Sequence, residues 1–176
     1  GNGHAILGLQ SRPRSASGRM SGDGMAMDTR VKRGKAFIEY SEKETEQSIA
    51  KRFENQVRKF PDRIAVLTSR GHLTYRDLNK LANRLAWILV RQFRDDRPVA
   101  ILMEHDTPAV VAVLGALKAS KIFIPLDPAL PDARIGQILT DSGASSIITN
   151  DNTHATALSL AESSDRIVNL DRDMEL

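Results

Sequence analysis

Between residues 97 and 128 the chain reads RPVAILMEHDTPAVVAVLGALKASKIFIPLDP, two short apolar runs on either side of a longer apolar segment. Residues 98–103 are apolar almost without interruption, as expected of a strand covered on both faces of a parallel sheet. Asp106, Thr107 and Pro108 follow. They supply an acceptor for free backbone N–H groups and a proline whose missing donor is harmless in a first helical turn. Val110, Val111, Val113, Leu114 and Leu117 make a wide apolar stripe on the predicted helix, and Lys118 near its end suits the negative pole of the helix dipole. Ile122, Phe123 and Ile124 predict a second buried strand, stopped by Pro125 and by the turn signal of Asp127 and Pro128. Strand, helix and strand with so few spare residues predict a βαβ unit.

The pattern continues on both sides. Residues 36–40 are read as a short extended segment and 41–47 as a polar bridge. Ser48 caps a helix in which Ile49, Phe53 and Val57 recur every four residues. Phe60 precedes Pro61 and ends it. Residues 64–67 and 73–74 form a small hairpin around the turn at 69–72. Thr74 and Asp77 have capping-box spacing, and Leu78, Leu81, Ala82, Leu85 and Leu89 fall on one face of the next helix. Beyond the central unit, a helix carrying Ile135, Ile138 and Leu139 starts at Pro131 and Asp132. A strand follows at 145–149, then a weaker helix at 155–161 and a strand at 166–170. Helices alternating with short apolar strands define the expected fold class: α/β, an open, mainly parallel sheet with flanking helices.

Charge changes this picture only at one end. The net charge of +3 and the pI of about 9.4 invite a nucleic-acid reading. Residues 1–36, however, hold seven Lys/Arg against two Asp, and the remaining 140 residues hold 18 basic against 20 acidic residues. The same 36 residues contain seven of the eleven glycines and show neither helical nor strand periodicity. They are read as a disordered basic leader or linker before a folded region at 37–176. No aromatic residues interleave with the basic ones, so neither nucleic acid nor membrane is an expected partner. The absence of cysteine excludes disulfides, thiolate metal sites and a Cys nucleophile, and fits a cytoplasmic setting.

Candidate chemistry is sparse. The chain has no G-x-G-x-x-G after its first strand, no P-loop, no G-x-S-x-G elbow and no H-E-x-x-H. His4, His72, His105 and His154 are isolated from one another and read as surface or turn residues. Asp95 and Asp96 lie in a loop beside Arg94 and Arg97 and read as solvated. Asp127 follows a parallel strand, where α/β folds place ligands, but its position between Leu126 and Pro128 reads first as a turn former.

Three stretches carry a family resemblance. SIAKRFENQVRKFPDRIAV resembles the first helix and strand of adenylate-forming enzymes. LTYRDLNKLANRLA, with Leu73, Thr74, Tyr75 and Leu78, is similar to their first conserved core motif. LKASKIFIPLDPALPDARIGQILTDSGA, with Leu117, Lys118, Ala119, Pro125, Asp127, Pro128 and Arg134, resembles the second. The order and spacing look most like the N-terminal part of the amino-acid adenylation domains of nonribosomal peptide synthetases. Ser120 and Lys121 depart from the pattern, which has glycines there, so Ser120 is expected to carry a small backbone cost.

The resemblance implies ATP and Mg²⁺ as cofactors of the complete enzyme and phosphopantetheine on a partner carrier protein. Its implied partners are the rest of the adenylation domain, that carrier protein and a condensation domain. The family's Ser/Thr/Gly-rich loop ending in Lys-Gly, its aromatic-acidic motif and its C-terminal lysine do not occur in residues 1–176. The named motif residues are therefore expected to be scaffold, with no catalytic, cofactor-binding or metal residue in this chain. Two readings follow: an N-terminal enzyme fragment, inactive alone, or a noncatalytic, truncated adenylation-like interaction module.

Overall fold

A computed structural model describes residues 46–69 and 71–174. The expected leader at 1–36, the extended segment at 36–40 and most of the polar bridge lie outside these residues.

The first helix, α1 (Ile49–Lys59), begins where Ser48 Oγ accepts from the Lys51 N–H at 3.2 Å. The hairpin of β1 (Ile64–Thr68) and β2 (Gly71–Thr74) forms its own two-stranded antiparallel sheet. Thr74 caps α2 (Tyr75–Gln92): its Oγ1 accepts from the Asp77 N–H at 3.1 Å and donates to Asp77 Oδ2 at 2.7 Å. The predicted capping box thus closes on itself through the hydroxyl. Leu78, Ala82, Leu85 and Leu89 of α2 are buried, at the predicted spacing.

The second sheet is parallel and four-stranded in the order β4-β3-β5-β6, with β3 at Val99–Leu102, β4 at Phe123–Leu126, β5 at Ser146–Thr149 and β6 at Ile167–Asn169. Between them run α3 (Thr107–Lys118), α4 (Asp132–Ser142) and α5 (His154–Leu160), and α6 (Leu170–Asp173) ends the described chain. Strand alternation sorts the core into two halves. Val99, Ile101, Ile148 and Val168 pack with α2 and α3, whereas Ala100, Leu102 and Ile147 pack with Ile135, Leu139 and Ala157 of α4 and α5. The sheet is therefore covered on both faces, which is why β3 and β5 are buried at every position.

Two sequence expectations need correction. The second strand of the central unit is not a buried strand at Ile122–Ile124 stopped by proline: it runs through Pro125 to Leu126, and Ile122 lies outside it, 64% exposed. β4 has β3 on one side and no strand on the other among the described residues, so Pro125 is tolerated where a central strand would need its N–H. The apolar stripe of α3 also divides. Val111 and Leu114 are buried along with Ala112, Gly115 and Ala116, but Val110 is 37% exposed, and Val113 and Leu117 are half-buried. The small residues turn inward because α3 packs closely on α2, where a Cβ at Gly115 would come within 2.5 Å of Leu85 Cδ2.

Candidate functional site

In doubly wound sheets, ligands sit at the carboxyl ends of strands where the connections diverge. Here the chain leaves β3 for one neighbour, β4, and leaves β5 for the opposite neighbour, β6, so the β3 and β5 exits define that point. At the β3 exit, Asp106 caps α3, its Oδ1 accepting from the Thr107 N–H at 2.7 Å. Glu104, two residues earlier, accepts from Asn150 Nδ2 at 3.0 Å and from Asn152 Nδ2 at 3.4 Å.

The β5 exit is built around a buried hydroxyl. Thr153 Oγ1 lies 2.7 Å from the Leu102 carbonyl and 2.7 Å from Thr149 Oγ1. One hydroxyl has one proton to give. Thr153 donates to the carbonyl and receives from Thr149, while Asn150 Oδ1 accepts from the Thr153 N–H at 3.1 Å. Next to it, Asp151 Oδ1 accepts from Asn169 Nδ2 at 2.9 Å and from Arg172 Nε at 2.6 Å. The Asn169 amide, followed by the Arg172 guanidinium and against a desolvation cost, holds the Asp151 carboxyl below its usual range.

This cluster binds the exits of β3, β5 and β6 to one another. Its donors and acceptors satisfy each other, and it contains no paired nucleophile and base. The carboxyl edge also carries Glu104, Asp106, Asp151 and Asp171. Among the described residues no group of three or more His, Asp or Glu is placed to hold a metal ion.

The sequence-predicted motif residues are spread over β2, α2, α3, β4 and the turn and helix that follow. Leu73 packs half-buried in β2 and Leu78 is buried in α2. Tyr75 sits with its ring centroid 6.1 Å from that of Phe53. Leu117, Lys118 and Ala119 close α3, where Lys118 Nζ reaches Glu54 Oε1 at 2.6 Å. Pro125 lies in β4, and Pro128 is half-buried in the following turn. Asp127 Oδ1 accepts from the Ala129 N–H at 2.9 Å, the turn geometry its neighbours suggested. Arg134 is exposed and donates to Gln137 Oε1 at 2.8 Å. The first and second motifs meet where α2 packs on α3, but their polar groups do not converge on one point.

Sequence reasoning passed over Glu104, Asn150, Thr153 and Asn169. The available signal was a polar residue at or just after the carboxyl end of each apolar strand run, a rule applied only to Asp127. A second feature had no sequence signal of its own: an apolar groove of about 680 Å³ between α1, β1 and α3, lined by Phe53, Val66, Tyr75, Val113, Leu117 and Phe123.

With this sheet, these caps and these motif positions in place, the family follows. Residues 53–175 match the AMP-binding enzyme family, and the chain belongs to it. It is similar to tyrocidine synthase 3 of Brevibacillus parabrevis, at 41% identity over 125 residues, which cover 70% of this chain and 2% of that protein. Among solved structures, the nonribosomal peptide synthetase FmoA3 in its α-methyl-L-serine-AMP bound form superposes with a TM-score of 0.67 at 27% identity, covering 73% of this chain and 14% of that one. The N-terminal subdomain of Klebsiella oxytoca NpsA, in complex with 3-hydroxybenzoyl-AMSN, shares the fold with a TM-score of 0.62 at 19% identity, covering 73% of this chain and 32% of that subdomain. The chain thus corresponds to the N-terminal part of an adenylation domain and spans a small share of each relative.

Proposed function

We propose that this chain is the N-terminal scaffold of an ATP-dependent amino-acid-activating adenylation domain in nonribosomal peptide synthesis, and that it is inactive by itself. The observation that carries this reading is the family match over residues 53–175, combined with a carboxyl edge whose polar groups are occupied with one another. In the complete domain an amino-acid carboxylate oxygen attacks the α-phosphorus of ATP, the bond to pyrophosphate breaks, and an aminoacyl adenylate forms with Mg²⁺ balancing the phosphate charge. A phosphopantetheine thiol on a carrier protein then attacks the acyl carbon and AMP leaves. This chain contributes the sheet and helices against which the reacting segments of the domain are placed. Its partners are the rest of that domain, the carrier protein and a neighbouring condensation domain.

A cytoplasmic setting accords with a chain in which no helix among the described residues is long and apolar enough to cross a membrane. Titration calorimetry of the chain with Mg·ATP tests the assignment of scaffold. No saturable heat is expected, and stoichiometric binding would overturn it. A second reading, a noncatalytic interaction module, draws on the open apolar groove, and a reading frame that stops at Leu176 would favour it.

A further inference from the structure

The outward face of α2 is basic along its length. Arg76, Lys80, Arg84, Trp87 and Arg91 recur every three or four residues and are all exposed, and Arg94 continues the row just past the helix end. Near the start of α2 the charges are matched: Arg76 pairs with Asp62 at 2.8 Å and Lys80 with Asp77 at 3.7 Å. Near its end they are not. Arg84 reaches the Asp173 carbonyl at 3.5 Å and Arg91 lies over the Trp87 ring at 4.9 Å, and neither they nor Arg94 has a carboxylate partner among the described residues.

The same end is also apolar. Trp87 is 62% exposed, Val90 56% and Ile122 64%. Val90 and Ile122 share an open hollow of about 740 Å³ with Arg91 and Arg94, above the buried Phe93. Ile122 is fixed in its outward position. Its carbonyl accepts from the Val99 N–H at 2.9 Å, and Lys121 before it turns inward to Asp95. Asp95 is held between Lys121 and Arg166, so of the carboxylates lining the hollow only that of Asp96 is left to face Arg91 and Arg94. Tryptophan and arginine beside rigidly presented aliphatic groups are the make-up of the energetic centre of a protein interface.

We propose that the end of α2, with Ile122 beside it, is a docking surface for an acidic segment of a partner protein, one that seats an apolar side chain between Val90 and Ile122 and sets carboxylates against Arg91 and Arg94. Charge selects this occupant. Residues 1–36 carry seven Lys/Arg against two Asp, the same sign as the surface, and a second copy of the chain would bring an equally basic face. A nucleic acid fits less well. The remaining 140 residues hold 20 acidic against 18 basic side chains, which repel a polyanion at long range, and the Trp87 ring is covered by Arg91 rather than open to a base.

Trp87 is the single tryptophan of the chain, so its emission reports this surface alone. The probe is a synthetic peptide of glutamates interspersed with leucines. The proposal predicts a saturable blue shift on titration, with affinity falling about tenfold or more between low and high salt as the ion pairs are screened. Arg91→Glu combined with Arg94→Glu should abolish binding with the melting temperature unchanged, Arg91→Lys combined with Arg94→Lys should retain it, and Ile122→Asp should weaken it. A peptide with lysines in place of the glutamates should not bind. Calorimetry with the same peptide on the polypeptide extended through its downstream coding sequence should give the same affinity. The proposal is overturned by the absence of a saturable shift, by binding that survives the charge reversal, or by loss of binding in the extended polypeptide, where the face would be covered from within. Single-stranded DNA or vesicles of phosphatidylserine that shift the emission at lower concentration than the peptide would overturn it in favour of phosphate.

Discussion

Lys118 Nζ lies 2.6 Å from Glu54 Oε1 and 5.8 Å from the centre of the Phe53 ring, pinning α1 to the end of α3 across 64 residues of sequence. The lysine side chain is only 5% exposed, and the Glu54 carboxylate is its close counter-charge. Glu54→Gln removes the charge and leaves the ammonium poorly compensated, which should cost about 1–3 kcal/mol by denaturant unfolding at neutral pH.

The same contact sets a pH dependence. The Lys118 hydrogen bond, the largest influence, holds the Glu54 carboxyl below its ordinary 4.5, with desolvation opposing it. A carboxyl whose folded pKa is depressed contributes stability above its unfolded value and loses it as pH falls through the folded one. Melting temperature should therefore decline below pH 4.5 more steeply in the parent chain than in Glu54→Gln. Parallel curves would remove the pair from the account.

Ser120 adopts a φ of 56°, the left-handed geometry that favours glycine. Ser120→Gly should stabilise the chain by roughly 1 kcal/mol. Gly143 ends α4 at a φ of 66° with nothing within 4 Å of a Cβ built on it, so Gly143→Ala tests backbone strain alone. It should cost roughly 1 kcal/mol in the same unfolding measurement. Opposite signs at the two positions are the expected outcome.

Gly115 is a packing glycine rather than a turn glycine. Its missing Cβ is replaced by Leu85, whose Cβ, Cγ and Cδ2 would all lie within 3 Å of an added methyl group. Gly115→Ala should destabilise by about 1–3 kcal/mol through overpacking. Combined with Leu85→Ala, the methyl gains room, so the double variant should be less destabilised than the sum of the two single ones. Strict additivity in the double-mutant cycle would deny the close α2–α3 contact.

Local chemistry was legible in the sequence. The caps at Ser48, Thr74 and Asp106 and the inward face of α2 all depend on neighbours within a few residues, and each is found where the pattern put it. The alternation of helices and strands likewise led to the parallel sheet. What the sequence hid depends on partners far along the chain. Pro125 looked like a strand terminator because nothing near it reveals that β4 has no strand on its other side among the described residues. The apolar residues of α3 satisfy a stripe in several directions, so periodicity did not say which side would remain open. The bond from Asn150 to Glu104 joins residues 46 apart, and neither has a distinctive local setting.

The brace at the carboxyl edge makes its own prediction. Thr153→Val keeps the shape but strips the Leu102 carbonyl of its side-chain donor and leaves Thr149 only the longer contact to the Asn150 carbonyl at 3.3 Å, both in the interior. It should cost about 1–3 kcal/mol in thermal or denaturant unfolding. A change within a few tenths of a kcal/mol would show that the cluster does not hold the β3 and β5 exits together.

The central proposal is that this chain supplies scaffold to an amino-acid adenylation domain and does not perform the reaction by itself. Amino-acid-dependent ATP–pyrophosphate exchange, run on this chain beside the polypeptide extended through its downstream coding sequence, tests it most directly. The account predicts exchange with at least one amino acid in the extended polypeptide and none in the chain alone. Exchange by the chain alone would contradict it.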